Sequence, residues 1–156
     1  TGAIIEYLLE TYPGSGLHPA AGSAQARRFT YWLHYAEGSA MTPLLLKLIF
    51  TVLPKRVPFL ARGVAKGISK AMSANMIDPQ IAAHTGMWEA ELGQSEWFAG
   101  DAFSAADIMM SFPIEAAGSR VPYGPDKPKL KAFLQKIHAR PAYQRALERG
   151  GPYSYA

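Results

Sequence analysis

The chain has 156 residues, of which 49% are hydrophobic, and a formal net charge of +4, which suffices for one domain with a packed core. It contains no cysteine, so disulfides, thiolate metal sites and a cysteine nucleophile are excluded from these residues, and the composition fits a reducing compartment. The longest apolar segment, PLLLKLIFTVLP, contains Lys47 and is bounded by prolines, and the chain begins without a methionine or a signal-peptide pattern. We therefore expect no transmembrane helix and no secretory leader.

The first segment, GAIIEYLLETYP, has apolar residues at helical spacing and predicts a short amphipathic helix. Its apolar side would consist of Ile4, Ile5, Leu8, Leu9 and Tyr12. A proline and two glycines then end the helix, and the composition of GSGLHPAAGS is typical of a linker.

A long helical pattern follows, with Ser23 as its predicted N-cap. The predicted buried stripe is Phe29, Leu33, Ala36 and Ala40, and a second stripe carries Arg27, Tyr31 and Tyr35, with Ser39 one turn further on. We expect Gly38 and Thr42–Pro43 to bend or interrupt this helix. Further along the chain, Asp78–Pro79 predicts a new helix start, with aspartate as the cap and proline as the first helical residue.

The segment WFAGDAFSAADIMMSFPIE contains one aspartate, Asp107, in an almost wholly apolar context. Ser104 and Asp107 have the spacing of a capping box, and Phe103 and Ile108 occupy the positions of a hydrophobic staple. The apolar residues around them leave no polar face, so we expect a central, buried helix that Pro113 bends. Asp107 is thus interpreted as a structural cap, and a catalytic role is the less favoured alternative.

The last part of the chain repeats this pattern, with Asp126 as the predicted cap of one helix and Pro141 as the start of the next. From Arg120 to Arg149, eight Lys and Arg side chains face only two acidic ones. Their helical spacing favours a solvated helix face over a nucleic-acid surface. The sequence therefore predicts an all-α bundle of about six or seven helices, preceded by one short helix across a linker.

Four segments, in order, resemble the glutathione transferase family. TGAIIEYLLETYP resembles the last helix of its thioredoxin-like, glutathione-binding domain, and GLHP resembles the interdomain linker. WFAGDAFSAADI resembles the Gly-Asp turn and the Ser-x-x-Asp capping box of the family, and IHARPAYQRAL resembles its closing helix pair. YWLHYAEGSAMTPLL further resembles bacterial and fungal members.

The resemblance implies three parts, which are the residual last helix of the glutathione-binding domain at 1–13, a linker at 14–22 and the C-terminal helical domain at 23–156. It places the thiol-activating residue and the cis-proline of the family outside these residues. The expected chain is thus a truncated transferase with no catalytic residue of its own and little activity alone. Glutathione is the implied co-substrate, and Thr1 is the one glutathione-binding position carried over, through its hydroxyl and backbone amide. The alternative for Thr1 is a plain helix cap.

In the family, the helical domain supplies the wall for a hydrophobic electrophile, as expected for detoxification chemistry. The candidates for that wall are Tyr35, Ser39, Met41 and Tyr31. The aromatic tail with Tyr153 and Tyr155 could fold over the site. For the two helical tyrosines, packing in the bundle or at a dimer contact is the alternative.

We expect no metal site, because His18, His34, His84 and His138 are scattered and no third ligand accompanies the His34–Glu37 pair. The resemblance implies a cytoplasmic homodimer that binds glutathione and an electrophile, and no nucleic-acid or membrane partner is expected. Because fold does not fix function, a non-catalytic helical module for protein interaction is the alternative function.

Overall fold

The computed structural model describes residues 1–155, which form eight α-helices and no strand. Ala156, the last residue of the predicted helical domain, lies outside the described residues. The helices are α1 Gly2–Thr11, α2 Ala24–Tyr35, α3 Met41–Arg56, α4 Arg62–Met72, α5 Asp78–Gln94, α6 Ala105–Arg120, α7 Pro128–His138 and α8 Pro141–Gly150. The all-α prediction is confirmed.

Two pairs of helices are each joined by a π-helical turn. Ala36–Ala40 joins α2 to α3, and Ser73–Ile77 joins α4 to α5. The predicted interruption at Gly38 is therefore present as a π-turn, whereas no break occurs at Pro43, inside α3. Helix α5 begins at Asp78, as predicted, but Asp78 is not its cap, because the backbone is already helical through the second π-turn. In both places a proline follows the wider turn within a few residues, and the loosened hydrogen-bond ladder tolerates the absent proline amide.

Continuity through the first π-turn produces one helix of 33 residues, Ala24–Arg56. By length and composition alone this helix is long and apolar enough to cross a membrane, and 22% of its most apolar stretch is buried. Core helices of soluble proteins pass the same test, and Phe29, Trp32 and Leu33 lie in the core of this bundle. We therefore describe it as a bundle helix with an exposed apolar end.

Helix α6 is the centre of the bundle, and α2 packs along it. Ten of its residues are buried, as the sequence predicts for a helix without a polar face. Ile108 and Phe112 are the apolar exceptions, with 44% and 41% of their surface exposed. One side of α6 is therefore open.

The start of α6 is held by the capping box of Ser104 and Asp107. Asp107 Oδ2 accepts hydrogen bonds from the Ser104 amide at 2.8 Å and the Ser104 hydroxyl at 3.0 Å, and Oδ1 accepts one from the Phe98 amide at 2.8 Å. The third contact was not predicted. It ties the turn before the helix to the helix itself, so the fully buried carboxylate is satisfied by three donors.

The start of α7 is capped by a residue from another helix. Glu89 of α5 accepts hydrogen bonds from the amides of Lys129 and Leu130, both at 2.9 Å. The predicted cap, Asp126, makes no such bond, and the N-cap position belongs to Lys127. The prediction for Asp126 is wrong because the carboxylate of Glu89 already occupies the positive end of this helix.

Helix α1 lies on the surface and has no buried residue. Ile5 and Leu9 pack against the core, whereas Ile4, Tyr7 and Leu8 of the predicted amphipathic helix are exposed. The linker binds α6 directly, because the Leu17 carbonyl accepts a hydrogen bond from the Ala105 amide at 2.9 Å. This contact holds the linker, and α1 with it, near the start of α6.

Candidate functional site

A cavity of about 290 Å³ lies between α1, the first π-turn with the start of α3, and the open side of α6. Its walls are mainly apolar, as is usual for sites that bind small organic ligands. The lining residues are Thr1, Ile5, Ala36, Glu37, Met41, Ile108, Met109, Phe112 and Pro113. We call this cavity the α1–α6 pocket.

Each wall of the pocket has a local origin in the sequence. The π-turn places Glu37 and Met41 at the rim, and π-turns inside helices are frequent at functional sites. Phe112 stands on α6 one turn after Ile108 and faces the same side. Glu37 is the one ionisable side chain among the lining residues, so the pocket offers apolar area with a single carboxylate.

Thr1 is the N-cap of α1 and lies at the edge of the α1–α6 pocket. Its carbonyl accepts hydrogen bonds from the amides of Ile4 and Ile5 at 3.0 and 3.1 Å, but its hydroxyl makes no capping bond. The first-turn amides of a helix attract anions. Thr1 is therefore the N-cap by backbone position, without a capping bond from its side chain.

Of the four residues expected to form the electrophile wall, Met41 alone lines the pocket with Thr1. Ser39 is exposed on the π-turn, and Tyr31 is 54% exposed and stacks on Tyr35, with ring centroids 5.6 Å apart. Neither Tyr31 nor Tyr35 borders the pocket. The structure therefore separates the predicted wall into one pocket residue, one exposed serine on the π-turn and a tyrosine pair on α2.

Tyr35 belongs to a buried polar cluster in the core. Its hydroxyl accepts a hydrogen bond from Trp88 Nε1 at 3.1 Å and is hydrogen-bonded to His84 Nδ1. Burial raises the pKa of Tyr35 to about 12, against the Trp88 hydrogen bond, which lowers it, and burial lowers the pKa of His84. The neutral forms of both groups are favoured, which suits a packing role.

The aromatic tail is fixed beside the pocket by Glu115, a buried carboxylate of α6. Glu115 accepts hydrogen bonds from the hydroxyls of Tyr143 and Tyr153 at 3.1 and 2.5 Å, and its Oε1 is hydrogen-bonded to His138 Nε2 at 2.7 Å. Burial, reinforced by Glu115, raises the pKa of Tyr143 to about 12 and that of Tyr153 further still.

Because Tyr153 is anchored in this way, Tyr155 rests edge-on against Phe112, with ring centroids 5.7 Å apart. The tail thus lies against a residue that lines the pocket. The described part of the tail ends at this contact.

Sequence reasoning missed Glu37, Ile108 and Phe112 as lining residues. The signal for the two α6 residues was weak, since an apolar side chain on an apolar helix indicates core unless the neighbouring elements are known. Glu37 was considered only as a metal ligand with His34. Within residues 1–155 no cluster of three metal-ligating side chains is present, and His34 Nε2 instead lies 3.3 Å from Glu6 Oε1.

Comparisons with known proteins agree with this fold. The family model described as "Glutathione S-transferase, C-terminal domain" matches residues 52–141, which is more than half of the chain. The chain is 30% identical over 156 residues to glutathione S-transferase 1 of Saccharomyces cerevisiae, covering 96% of this chain and 65% of that protein. It is 25% identical over 153 residues to glutathione S-transferase 3 of Schizosaccharomyces pombe, covering 96% and 62%.

Solved structures give the same result. A sphingomonad glutathione S-transferase complexed with glutathione superposes with a TM-score of 0.68 at 26% identity, covering 97% of this chain and 67% of that one. A glutathione S-transferase from Actinobacillus pleuropneumoniae superposes with a TM-score of 0.69 at 23% identity, covering 95% of this chain and 61% of that one. At this identity the match establishes only that the two proteins share a fold. The chain spans less than two thirds of the two yeast relatives. On the family match and the shared fold, this chain belongs to the glutathione S-transferase family and contains the C-terminal helical domain of that family.

Proposed function

We propose that this chain is the electrophile-binding part of a glutathione transferase, which directs the thiolate of glutathione at an apolar electrophile. The α1–α6 pocket carries the proposal, because it brings Thr1 next to apolar side chains such as Met41 and Phe112. Thr1 would hold the γ-glutamyl carboxylate, and the apolar wall would take the electrophile. The two reactants would then meet at the mouth of the pocket, which lowers the entropic part of the barrier.

The thiol of glutathione must lose its proton before it attacks, because the thiolate is the nucleophile. Glu37 is the one ionisable side chain that lines the pocket, and no tyrosine hydroxyl or cysteine is among the lining residues. A serine, tyrosine or cysteine that stabilises the thiolate would have to come from residues outside these 156. We therefore propose that the chain alone has little conjugating activity.

The assembly and location follow from membership in the family. We propose a homodimer, with the long helices of this domain contributing to the contact, and a cytoplasmic location. The exposed apolar side of α1, which includes Ile4, Tyr7 and Leu8, supports the presence of a further packing partner for this helix.

The pocket is tested by calorimetric titration of the 156-residue chain with an S-aryl glutathione conjugate, which carries both the γ-glutamyl group and an apolar ring. Phe112→Ser removes a ring from the pocket, and we expect affinity to fall about fivefold or more. Phe59→Ser is the control, since Phe59 is 78% exposed and lies in the turn between α3 and α4.

The expected pattern is weaker binding in the Phe112 variant and unchanged binding in the Phe59 variant. Equal affinities in both variants, or no binding of the conjugate to the unmodified chain, would contradict the proposed electrophile site. The non-catalytic interaction module would then be the better explanation of this fold.

A further inference from the structure

The α1–α6 pocket has one charged side chain on its walls, and the proposed function gives that charge no role. Glu37 belongs to the π-turn Ala36–Ala40, which borders the pocket. The side chains of the other lining residues carry no charge. Apolar walls keep out much of the water and salt that screen a charge elsewhere on a surface. The carboxylate of Glu37 therefore bears on which ligands the pocket accepts.

The position of Glu37 is fixed by its neighbours. Ala36 and Ala40, at the two ends of the π-turn, are 1% and 0% exposed, so the turn is held against the core. Between them Glu37, Gly38 and Ser39 are exposed. The backbone is helical both before and after the turn. Glu37 thus stands on a rigid element, which is the support that a residue needs to discriminate between ligands.

The protein itself leaves the charge of Glu37 uncompensated. None of the ion pairs formed within residues 1–155 includes Glu37. His34, one turn earlier, lies 3.3 Å from Glu6 Oε1 instead. Thr1, at the edge of the pocket, carries the α-amino group of this chain and forms no ion pair with Glu37. The carboxylate is therefore available to a ligand.

This charge suits ligand selection better than activation of the thiol. A carboxylate beside the sulfur of glutathione would oppose formation of the thiolate, because two negative charges repel each other. The useful place for Glu37 is beside the part of the electrophile that lies away from its reacting carbon. There the carboxylate would stabilise a cationic substituent and repel an anionic one.

We propose that Glu37 selects electrophiles by charge, so that the α1–α6 pocket prefers apolar electrophiles with a cationic group and disfavours those with a carboxylate. The inference rests on the proposed function, because it names the substrate class of the same pocket. Phe112 and Met41 would contact the ring of the electrophile, and Glu37 at the rim would meet its cationic substituent. An exposed ion pair of this kind changes affinity by about two- to fivefold, so the selection is a preference.

Calorimetric titration of the whole 156-residue chain with three S-benzyl glutathione conjugates tests the inference. The benzyl rings carry a para-aminomethyl, a para-methyl or a para-carboxyl group, so the ring is cationic, neutral or anionic at neutral pH. Glu37→Gln removes the charge and keeps the shape of the side chain. Relative to the neutral conjugate, we expect this variant to lose about twofold or more in affinity for the cationic conjugate and to gain about as much for the anionic one. The α-amino group of Thr1 is the same in both proteins and cancels from the comparison.

Glu10→Gln is the matched control, because Glu10 is an exposed carboxylate of α1 that does not line the pocket. It removes the same charge from the chain, and we expect the ratio of the cationic to the anionic affinity to change by less than about 1.5-fold. An equal change in the Glu10 and Glu37 variants would mean that net charge decides the preference, and the inference would be wrong.

Three further results would overturn the inference. If Glu37→Gln left the ratio unchanged while Phe112→Ser still weakened binding of the neutral conjugate, charge selection would be wrong and the proposed function would stand. An equal loss for all three conjugates would place Glu37 against the ammonium group of the γ-glutamyl part instead. No binding of any conjugate to the unmodified chain would refute the proposed function and this inference together.

Discussion

At the scale of single residues, we expect the buried carboxylate of Asp107 to make a large contribution to the free energy of unfolding. Asp107→Ala removes the acceptor of three hydrogen bonds and leaves the buried amides of Phe98 and Ser104 unpaired. Loss of a cap costs about 0.5–2 kcal/mol, and an unpaired buried amide costs about 1–3 kcal/mol, so we expect a loss near 3 kcal/mol. Urea unfolding followed by circular dichroism measures it. The exposed Asp101→Ala is the control, and a loss below about 1 kcal/mol for Asp107→Ala would show that water replaces the carboxylate.

Burial of the same carboxyl group makes the stability of the fold depend on pH. Burial raises the pKa of Asp107, although its hydrogen bonds with Phe98 and Ser104 lower it in part. Just above the ordinary aspartate pKa of about 3.9, the folded state therefore keeps a proton that the unfolded state has lost. The contribution of this group to stability is fully present below that value and is lost as pH rises through the folded pKa. Asp107→Asn should lack this loss, so parallel pH profiles of the two proteins would contradict it.

The sequence around Tyr35 does not show whether this residue lines a pocket or packs in the core. Its position beside Tyr31 on one stripe fits a pocket wall and a core position equally well. The partners that decide between them, His84 and Trp88, lie 49 and 53 residues later in the chain. Only the packing of α5 against α2 and α3 shows that the Tyr35 hydroxyl is engaged in the core.

At the scale of helices, the capping of α7 by Glu89 can be tested against the residue that the sequence favoured. Glu89→Ala removes the acceptor of the Lys129 and Leu130 amides, and we expect a loss of about 1–2 kcal/mol in the free energy of unfolding. Asp126→Ala should have no measurable effect, because its exposed carboxylate makes no capping bond. Thermal unfolding compares the two variants. A larger loss of stability for Asp126→Ala than for Glu89→Ala would show that Asp126 caps α7 after all.

The two helix starts differ in what the sequence contains. Ser104 and Asp107 are three residues apart, so the capping box of α6 can be recognised from the local sequence and was predicted. The cap of α7 comes from Glu89, 40 residues before the amide of Lys129, and no local rule finds it. The continuity of the helices through the π-turns was missed for a related reason. A proline after a helical pattern predicts a break, and packing on both sides of the turn keeps the helix continuous instead.

For the whole molecule, helical periodicity predicted an all-α bundle, and four ordered motifs predicted the family. The α1–α6 pocket was not predictable as a place, because its residues come from three elements that meet only after folding. Thr1 and Met41 were found by resemblance, while Ile108 and Phe112 looked like core. The exposed apolar end of the helix Ala24–Arg56 was also missed, since its leucines have the sequence pattern of buried helix residues.

Calorimetric titration of the 156-residue chain with reduced glutathione tests the chain as a unit. Glutathione has no apolar ring to fill the α1–α6 pocket, and among the lining residues Thr1 is the one carried over from the glutathione site of the family. One hydroxyl and the first-turn amides of an exposed helix cannot offset the entropy lost on binding a flexible tripeptide. We therefore expect no detectable heat at micromolar glutathione, whereas the S-aryl conjugate binds through its ring. Clear micromolar binding of reduced glutathione would mean that the helical domain contains a second, unassigned site, and the division of roles proposed for this chain would be wrong.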